Sequence, residues 1–160
     1  MNIEIKQVTD NEARQISKWV YNEPYSIYSL NGNNDCIKEL LNGDYYSALD
    51  SKCYIVGYYC FGRSAQVQIG HKYGVYDNKD IMDIGIGINP EFCGQGLGEE
   101  FLKIGLDFAR NEFYAKEFRL TVATFNKRAI KVYQRAGFRK VSSFKRRSHV
   151  DVIEFDLMIY

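Results

Sequence analysis

The sequence predicts an α/β fold built on one mixed sheet, and three observations carry that prediction. Strand-like and helix-like patterns follow one another in the order strand–helix–helix–strands–helix–strand–helix–strands. The stretch Ile81–Glu100, IMDIGIGINPEFCGQGLGEE, reads as a strand, a tight turn holding Gly94, Gly96 and Gly98, and the start of a helix. That helix, Leu97 to Phe113, has Leu97, Phe101, Ile104 and Phe108 along one stripe, with Leu102, Leu106 and Ala109 alongside. So wide an apolar face fits a helix lying flat on a sheet. No linker, repeat or low-complexity tract marks a second domain, so residues 1–160 are expected to form one.

Taken in order, Ile3–Val8 alternates imperfectly and predicts a first strand. Thr9 or Asp10 caps a helix carrying Ala13, Ile16 and Val20, with Trp19 beside them, which Pro24 ends. Tyr21–Asn34 is loop-like and rich in tyrosine, and a short helix near Cys36–Leu41 stops at Asn42–Gly43. Tyr45–Leu49 and Cys53–Phe61 read as a hairpin turning at Asp50–Ser51. Gly62–Lys79 is polar and glycine-dotted, and is expected to be an extended excursion. Ile81–Asn89 is the central strand, closed by Pro90. Beyond the long helix come a strand at Phe118–Thr124, a helix at Asn126–Ala136 ended by Gly137, and a strand at Phe138–Phe144. A turn at Lys145–Ser148 leads to a last strand, Val150–Tyr160, with Ile153, Phe155, Leu157 and Ile159 on one face.

The chain carries 21 basic and 20 acidic residues. That balance argues against a dedicated nucleic-acid binder, so no nucleic-acid partner is expected. Cys36, Cys53, Cys60 and Cys93 form no CxxC pair, and neither His71 nor His149 lies near one at ligand spacing, so no metal site is expected. There is no signal pattern and no apolar run of membrane-spanning length. The expectation is a reduced, cytoplasmic, soluble protein that does not engage membranes.

Side chains alternate along a strand. Met82, Ile84, Ile86 and Ile88 share one face of the central strand, and Asp83, Gly85, Gly87 and Asn89 share the other. Two glycines on one face mean that something approaches the backbone closely: a packed neighbour, a bulge, or an extended ligand pairing with the strand. The glycine turn presents backbone N–H groups at a helix N-terminus, where an anion binds without a charged side chain. A ligand with a phosphate end and an amide-rich arm, such as coenzyme A, uses both features. The turn matches neither a Walker loop nor a dinucleotide fingerprint.

Further along, Asn126, Ala129, Tyr133 and Gly137–Phe138 form N-x-x-A-x-x-x-Y-x-x-x-G-F. With the INPEFCGQGLG turn upstream, the sequence resembles the GNAT superfamily of acyl-CoA-dependent N-acyltransferases over nearly its whole length. The resemblance implies a single mixed, mostly antiparallel sheet of six to seven strands flanked by about four helices, with a splayed central strand pair holding the cofactor. The family turn is R/Q-x-x-G-x-G/A. Here Gly96 and Gly98 match, while Cys93 stands at the first position. Cys93 is read either as a small tolerated residue or as a thiol open to disulfide exchange with coenzyme A.

By that resemblance the cofactor set is Ile86, Gly87 and Ile88 for the arm, Cys93, Gly94, Gln95, Gly96, Leu97, Gly98 and Glu99 for the pyrophosphate, and Asn126, Ala129 and Tyr133. Tyr133 is the expected general acid for the leaving thiolate, and Asp83 the first candidate for the base, ahead of Asp80 and Glu23. The acceptor pocket maps to the loop near Tyr21–Asn33, with Trp19, Tyr25 and Tyr28; Lys145–Arg147 is a candidate for an anionic substrate group. The implied activity is transfer of an acetyl group from acetyl-CoA to a primary amine, of a small molecule or a protein N-terminus, by a monomer or homodimer. A non-catalytic acyl-CoA sensor and a flavodoxin-type nucleotide domain are the alternatives.

Overall fold

The computed structural model describes all residues from Met1 to Tyr160. Seven strands form one mixed, mostly antiparallel sheet in the order β1-β2-β3-β4-β5-β7-β6. They are β1 (Glu4–Gln7), β2 (Tyr45–Leu49), β3 (Ile55–Phe61), β4 (Met82–Ile88), β5 (Phe118–Ala123), β6 (Arg139–Arg147) and β7 (Val152–Ile159). Four α-helices accompany them: α1 (Asp10–Ile16), α2 (Asn34–Leu40), α3 (Gly98–Phe113) and α4 (Lys127–Ala136). The chain divides into two compact units, residues 1–60 with 86–97 and residues 61–85 with 98–160.

In the first unit β1, β2 and β3 make an antiparallel ladder. Thr9 caps α1 through a capping box, its hydroxyl accepting from the Glu12 N–H while its own N–H donates to Glu12. Glu12 is buried and serves more than the cap: it also accepts from the Ser47 hydroxyl at 2.8 Å and pairs with Lys6 at 3.1 Å. One carboxylate thereby fastens α1 to β1 and β2. Ala13, Ile16, Ala48, Leu49 and Val56 supply the buried apolar surface. The first helix is shorter than its apolar spacing predicts. It ends at Ile16, the Trp19 N–H closes a tighter turn onto the Ile16 carbonyl, and Val20 is exposed. The following loop folds back on itself, Leu30 N–H donating to the Trp19 carbonyl and Tyr21 N–H to the Ser29 hydroxyl.

In the second unit α3 buries Phe101, Leu102, Leu106 and Ala109, as its wide apolar face requires. The start of α3 packs closely on α4: a β-carbon on Gly98 would stand 3.2 Å from a Val132 methyl. Gly137, at φ +108°, ends α4 in the left-handed region, with Phe138 N–H returning to the Tyr133 carbonyl. Gly62–Lys79 is not extended. It holds two 3₁₀ turns, Gly62–Ala65 and Gln68–Tyr73, whose short i→i+3 bonds produce no strand or α-helix periodicity. Lys145–Arg147, expected in a turn, continues β6 opposite Val152–Glu154. β6 is the outermost strand, where exposed cations are tolerated and discourage pairing with another chain. No helix is long and apolar enough to cross a membrane.

Candidate functional site

The far end of β4 and the turn after it are pinned by a few polar contacts inside the first unit. Asn89 is the anchor. Its N–H donates to the Val56 carbonyl and its side-chain amide to the Ile55 carbonyl, both at 2.9 Å, while its side-chain oxygen accepts from the Glu91 N–H. Because main-chain groups alternate sides along a strand, an Asn89 N–H aimed at β3 turns those of Ile88 and Ile86 toward the other edge. The Ile88 carbonyl there accepts from the Tyr21 hydroxyl at 2.9 Å and from the Cys93 thiol at 3.6 Å. Burial, with the Cys93 sulfur a second cause, raises the Tyr21 phenol above its ordinary pKa, so it stays a protonated donor.

In the turn, Gly94 and Gly96 both have φ +79°, and a β-carbon on either would meet nothing within 4 Å. Glycine is required by backbone conformation there, and not by crowding. Gly94, Gln95 and Gly96 line an open turn in which the Gln95 side chain donates to the Glu91 carbonyl at 2.9 Å, bracing it from within. Leu97 completes the segment, and α3 follows at Gly98. Glu99, in its first turn, is held below the ordinary carboxylate pKa by the Lys103 ammonium at 2.9 Å.

Gly87 has a different reason for being glycine. A β-carbon there would lie 2.3 Å from the Tyr58 ring, so the neighbouring strand fills that face. The Tyr58 ring in turn stacks on Trp19, with centroids 5.9 Å apart, and leans on Tyr45 at 5.8 Å. Burial raises the Tyr58 phenol well above its ordinary pKa. Trp19 is thus tied to the β4 face through Tyr58. Tyr25 is half-buried and Tyr28 is exposed, at the two ends of a 3₁₀ turn spanning Ser26–Tyr28. Glu23 is exposed and accepts from the Ser26 hydroxyl at 2.6 Å.

In the second unit β4 and β5 run parallel, with the register Met82–Phe118 and Asp83–Arg119 at the first two residues of each strand. Asp83 lies on β4 as the sequence implies, but its carboxylate is fully engaged. Arg119 grips it with two bonds, Nε to Oδ1 at 2.7 Å and Nη2 to Oδ2 at 2.6 Å, and Gln66 donates to Oδ2 at 2.8 Å. The Asp83 and Arg119 side chains are nearly inaccessible, at 4% and 2%. Arg119 Nη1 spans the Val75 and Asn78 carbonyls. This arrangement clamps the start of β4 to β5 and closes the Asp83 carboxylate off from solvent.

Asn126 caps α4, its side-chain oxygen accepting from the Ala129 N–H at 3.1 Å. Tyr133, seven residues on, is half-buried and packs against Phe138 with centroids 6.2 Å apart. Sequence reasoning took in Tyr21 only as the start of the Tyr21–Asn33 loop and did not single out Tyr58, Gln66 or Arg119. Of these only Arg119 carried a signal, as a lone charge inside the apolar run FRLTVA.

The profile of the acetyltransferase (GNAT) domain matches residues 5–139. The chain belongs to the GNAT acetyltransferase family. No curated protein matches it. Among solved structures, a GNAT-family acetyltransferase from Bacillus anthracis superposes with a TM-score of 0.75 at 13% identity, over 100% of this chain and 95% of that one. The spermidine/spermine N-acetyltransferase of Vibrio cholerae gives 0.70 at 17% identity, over 99% and 91%. A GNAT acetyltransferase from Streptococcus pneumoniae gives 0.63 at 19%, over 99% and 98%. At these identities the likeness speaks to the fold. Against the GNAT turn pattern, the thiol at Cys93 is directed to the Ile88 carbonyl. It serves the strand end there, where the family pattern has a longer polar side chain.

Proposed function

We propose that this chain is an acetyl-CoA-dependent N-acetyltransferase acting on a primary amine, of a small molecule or a protein N-terminus. The observation that carries the reading is the turn with Gly94 and Gly96 at positive φ, opening into a 16-residue helix. Its backbone N–H groups, from Gln95 to Gly98, take the pyrophosphate, helped by the positive end of the helix. The main-chain groups of Ile86 and the Ile88 N–H, directed away from β3, take the amides of the pantetheine arm, the Ile88 carbonyl being held by Tyr21 and Cys93. Gly87 contributes backbone only, its side-chain face being filled by Tyr58. Asn126, by the family resemblance, bonds the arm, and Ala129 leaves it room beside Tyr133.

In the reaction the neutral amine attacks the thioester carbonyl carbon, forming the C–N bond. The tetrahedral intermediate collapses with cleavage of the C–S bond, and Tyr133 protonates the departing thiolate. The proton lost by the amine goes to solvent or to an acceptor-side base. Asp83 is assigned a positioning role: clamped to Arg119, it fixes the origin of β4 on β5. Trp19, Tyr25 and Tyr28, joined by Tyr21 and Tyr58, are proposed to shape the acceptor side. The test is a panel of primary amines with acetyl-CoA, followed by release of free thiol. Thiol release with at least one amine, abolished or strongly slowed by Tyr133→Phe, is the expected result. Tight acetyl-CoA binding with no release for any amine would reject catalysis in favour of cofactor sensing.

A further inference from the structure

A cavity of about 590 Å³ lies wholly within the second unit, around the first residues of β4. Its volume falls in the range that holds small ligands. The Asp83–Arg119 clamp forms part of its lining and is internally neutral. Ile81, Met82 and Phe113 give it an apolar side. Around these stand charged groups without ion-pair partners. Arg63, Lys79 and Lys116 are exposed and form no ion pair, Lys79 donating only to the Tyr76 carbonyl, and the Asp80 carboxylate forms none either. His71, also in the lining, has a buried Nε2 with no hydrogen-bond partner.

An orphaned buried nitrogen is uncommon in folded proteins and calls for an explanation. Three cations without a carboxylate partner, one uncompensated carboxylate and an imidazole nitrogen together describe the complement of a ligand. It carries more negative charge than positive but has both. The unpaired Asp80 counts against a dense polyanion such as a nucleoside triphosphate, and the apolar side accommodates a short carbon chain.

We propose that this cavity binds a small anionic zwitterion of the acidic amino-acid kind, with carboxylates on Arg63 and Lys116, its ammonium on Asp80 and a ligand oxygen on His71 Nε2. The proposal stands apart from the acyl-transfer reading, since none of these residues is assigned to the acyl donor.

The test is calorimetry and thermal melting of the full chain at low salt, with L-glutamate as the probe. Glutarate, which lacks the ammonium, and inorganic phosphate serve as comparisons. Glutamate is expected to bind saturably and, at about a hundredfold excess over its Kd, to raise Tm by about 5–10 °C. The Arg63→Ala/Lys116→Ala variant is expected to bind at least about tenfold more weakly, as is His71→Ala. Asp80→Asn is expected to weaken glutamate and not glutarate. Melting of each variant without ligand checks that it folds, and acetyl-CoA binding, measured in parallel, reports separately on the acyl-donor site. Absence of saturable glutamate binding, binding of phosphate alone, or glutamate and glutarate affinities that are equal and indifferent to Asp80→Asn would each overturn the proposal.

Discussion

Replacing Asp83 by asparagine separates a clamp from a catalytic base. The carboxylate is about as buried as a charge can be, with its side chain 4% accessible, and three hydrogen bonds of 2.6–2.8 Å from Arg119 and Gln66 hold it. A neutral amide in its place would leave the Arg119 guanidinium, itself 2% accessible, without its counter-charge. Breaking a buried pair by removing one partner costs about 3–5 kcal/mol, a large part of the roughly 5–15 kcal/mol that holds a domain folded. For a chain of this length that corresponds to a fall in Tm of about 6–20 °C. Urea unfolding at pH 7 measures it directly. The double replacement Asp83→Leu/Arg119→Met exchanges the pair for apolar side chains and is expected to recover part of the loss, because no lone charge stays buried. The clamp reading fails if Asp83→Asn stays within about 1 kcal/mol of the parent while kcat falls about a hundredfold or more and the acidic limb of its pH profile disappears.

Tyr133→Phe is expected to lower kcat by about a hundredfold or more, with little change in KM for acetyl-CoA, as loss of a proton donor used only as the thiolate departs. Gly96→Ala places a side chain at φ +79° in open space, so its cost is backbone strain of about 1–2 kcal/mol. It should appear as a raised KM for acetyl-CoA, measured alongside an unfolding curve. Tyr21→Phe removes the hydroxyl bond to the Ile88 carbonyl and is expected to cost about 1 kcal/mol in unfolding free energy. At Glu12, burial raises the pKa, but hydrogen bonds from Thr9, Ser47 and Lys6 outweigh that and leave it below the ordinary 4.5. The unfolded chain therefore takes up the proton first. The stabilisation is present above that value and is lost as pH falls through the folded pKa. Urea stability of Glu12→Gln should accordingly fall less steeply than that of the parent between about pH 5 and pH 3.

What the sequence revealed about this chain depended on whether the backbone or a distant partner set the role of a residue. Gly94 and Gly96 were legible because a positive φ is a local demand that glycine answers, and the role proposed for them follows from the helix they precede. Asn126 was legible by position, since it stands one residue before α4, and its side-chain oxygen caps that helix. The first helix was overextended because Ala13, Ile16 and Val20 keep helical spacing after the hydrogen-bond ladder has ended. What stops it is the return of the loop, through Leu30 and Ser29, to Trp19 and Tyr21. The Lys145–Arg147 run resembled a turn because charge density was read as solvation. An outermost strand satisfies the same charges while its inner edge pairs with β7.

The β4 glycine face shows the limit most clearly. Gly87 signals close approach in any reading, and nothing local distinguishes a ligand from a ring. Tyr58 decides the matter from β3, some thirty residues away in sequence. The same holds for Asp83. An acid on a glycine-lined strand has the address of a catalytic base, but the lone Arg119 at the matching register of a parallel neighbour turns it into half of a clamp. A buried arginine in one strand and a buried aspartate in the next, each at the second position, is therefore evidence against a base at that aspartate. On the function proposed above, the proton acceptor is then to be sought in the loop from Trp19 to Leu30, which carries aromatic side chains and a single carboxylate, Glu23.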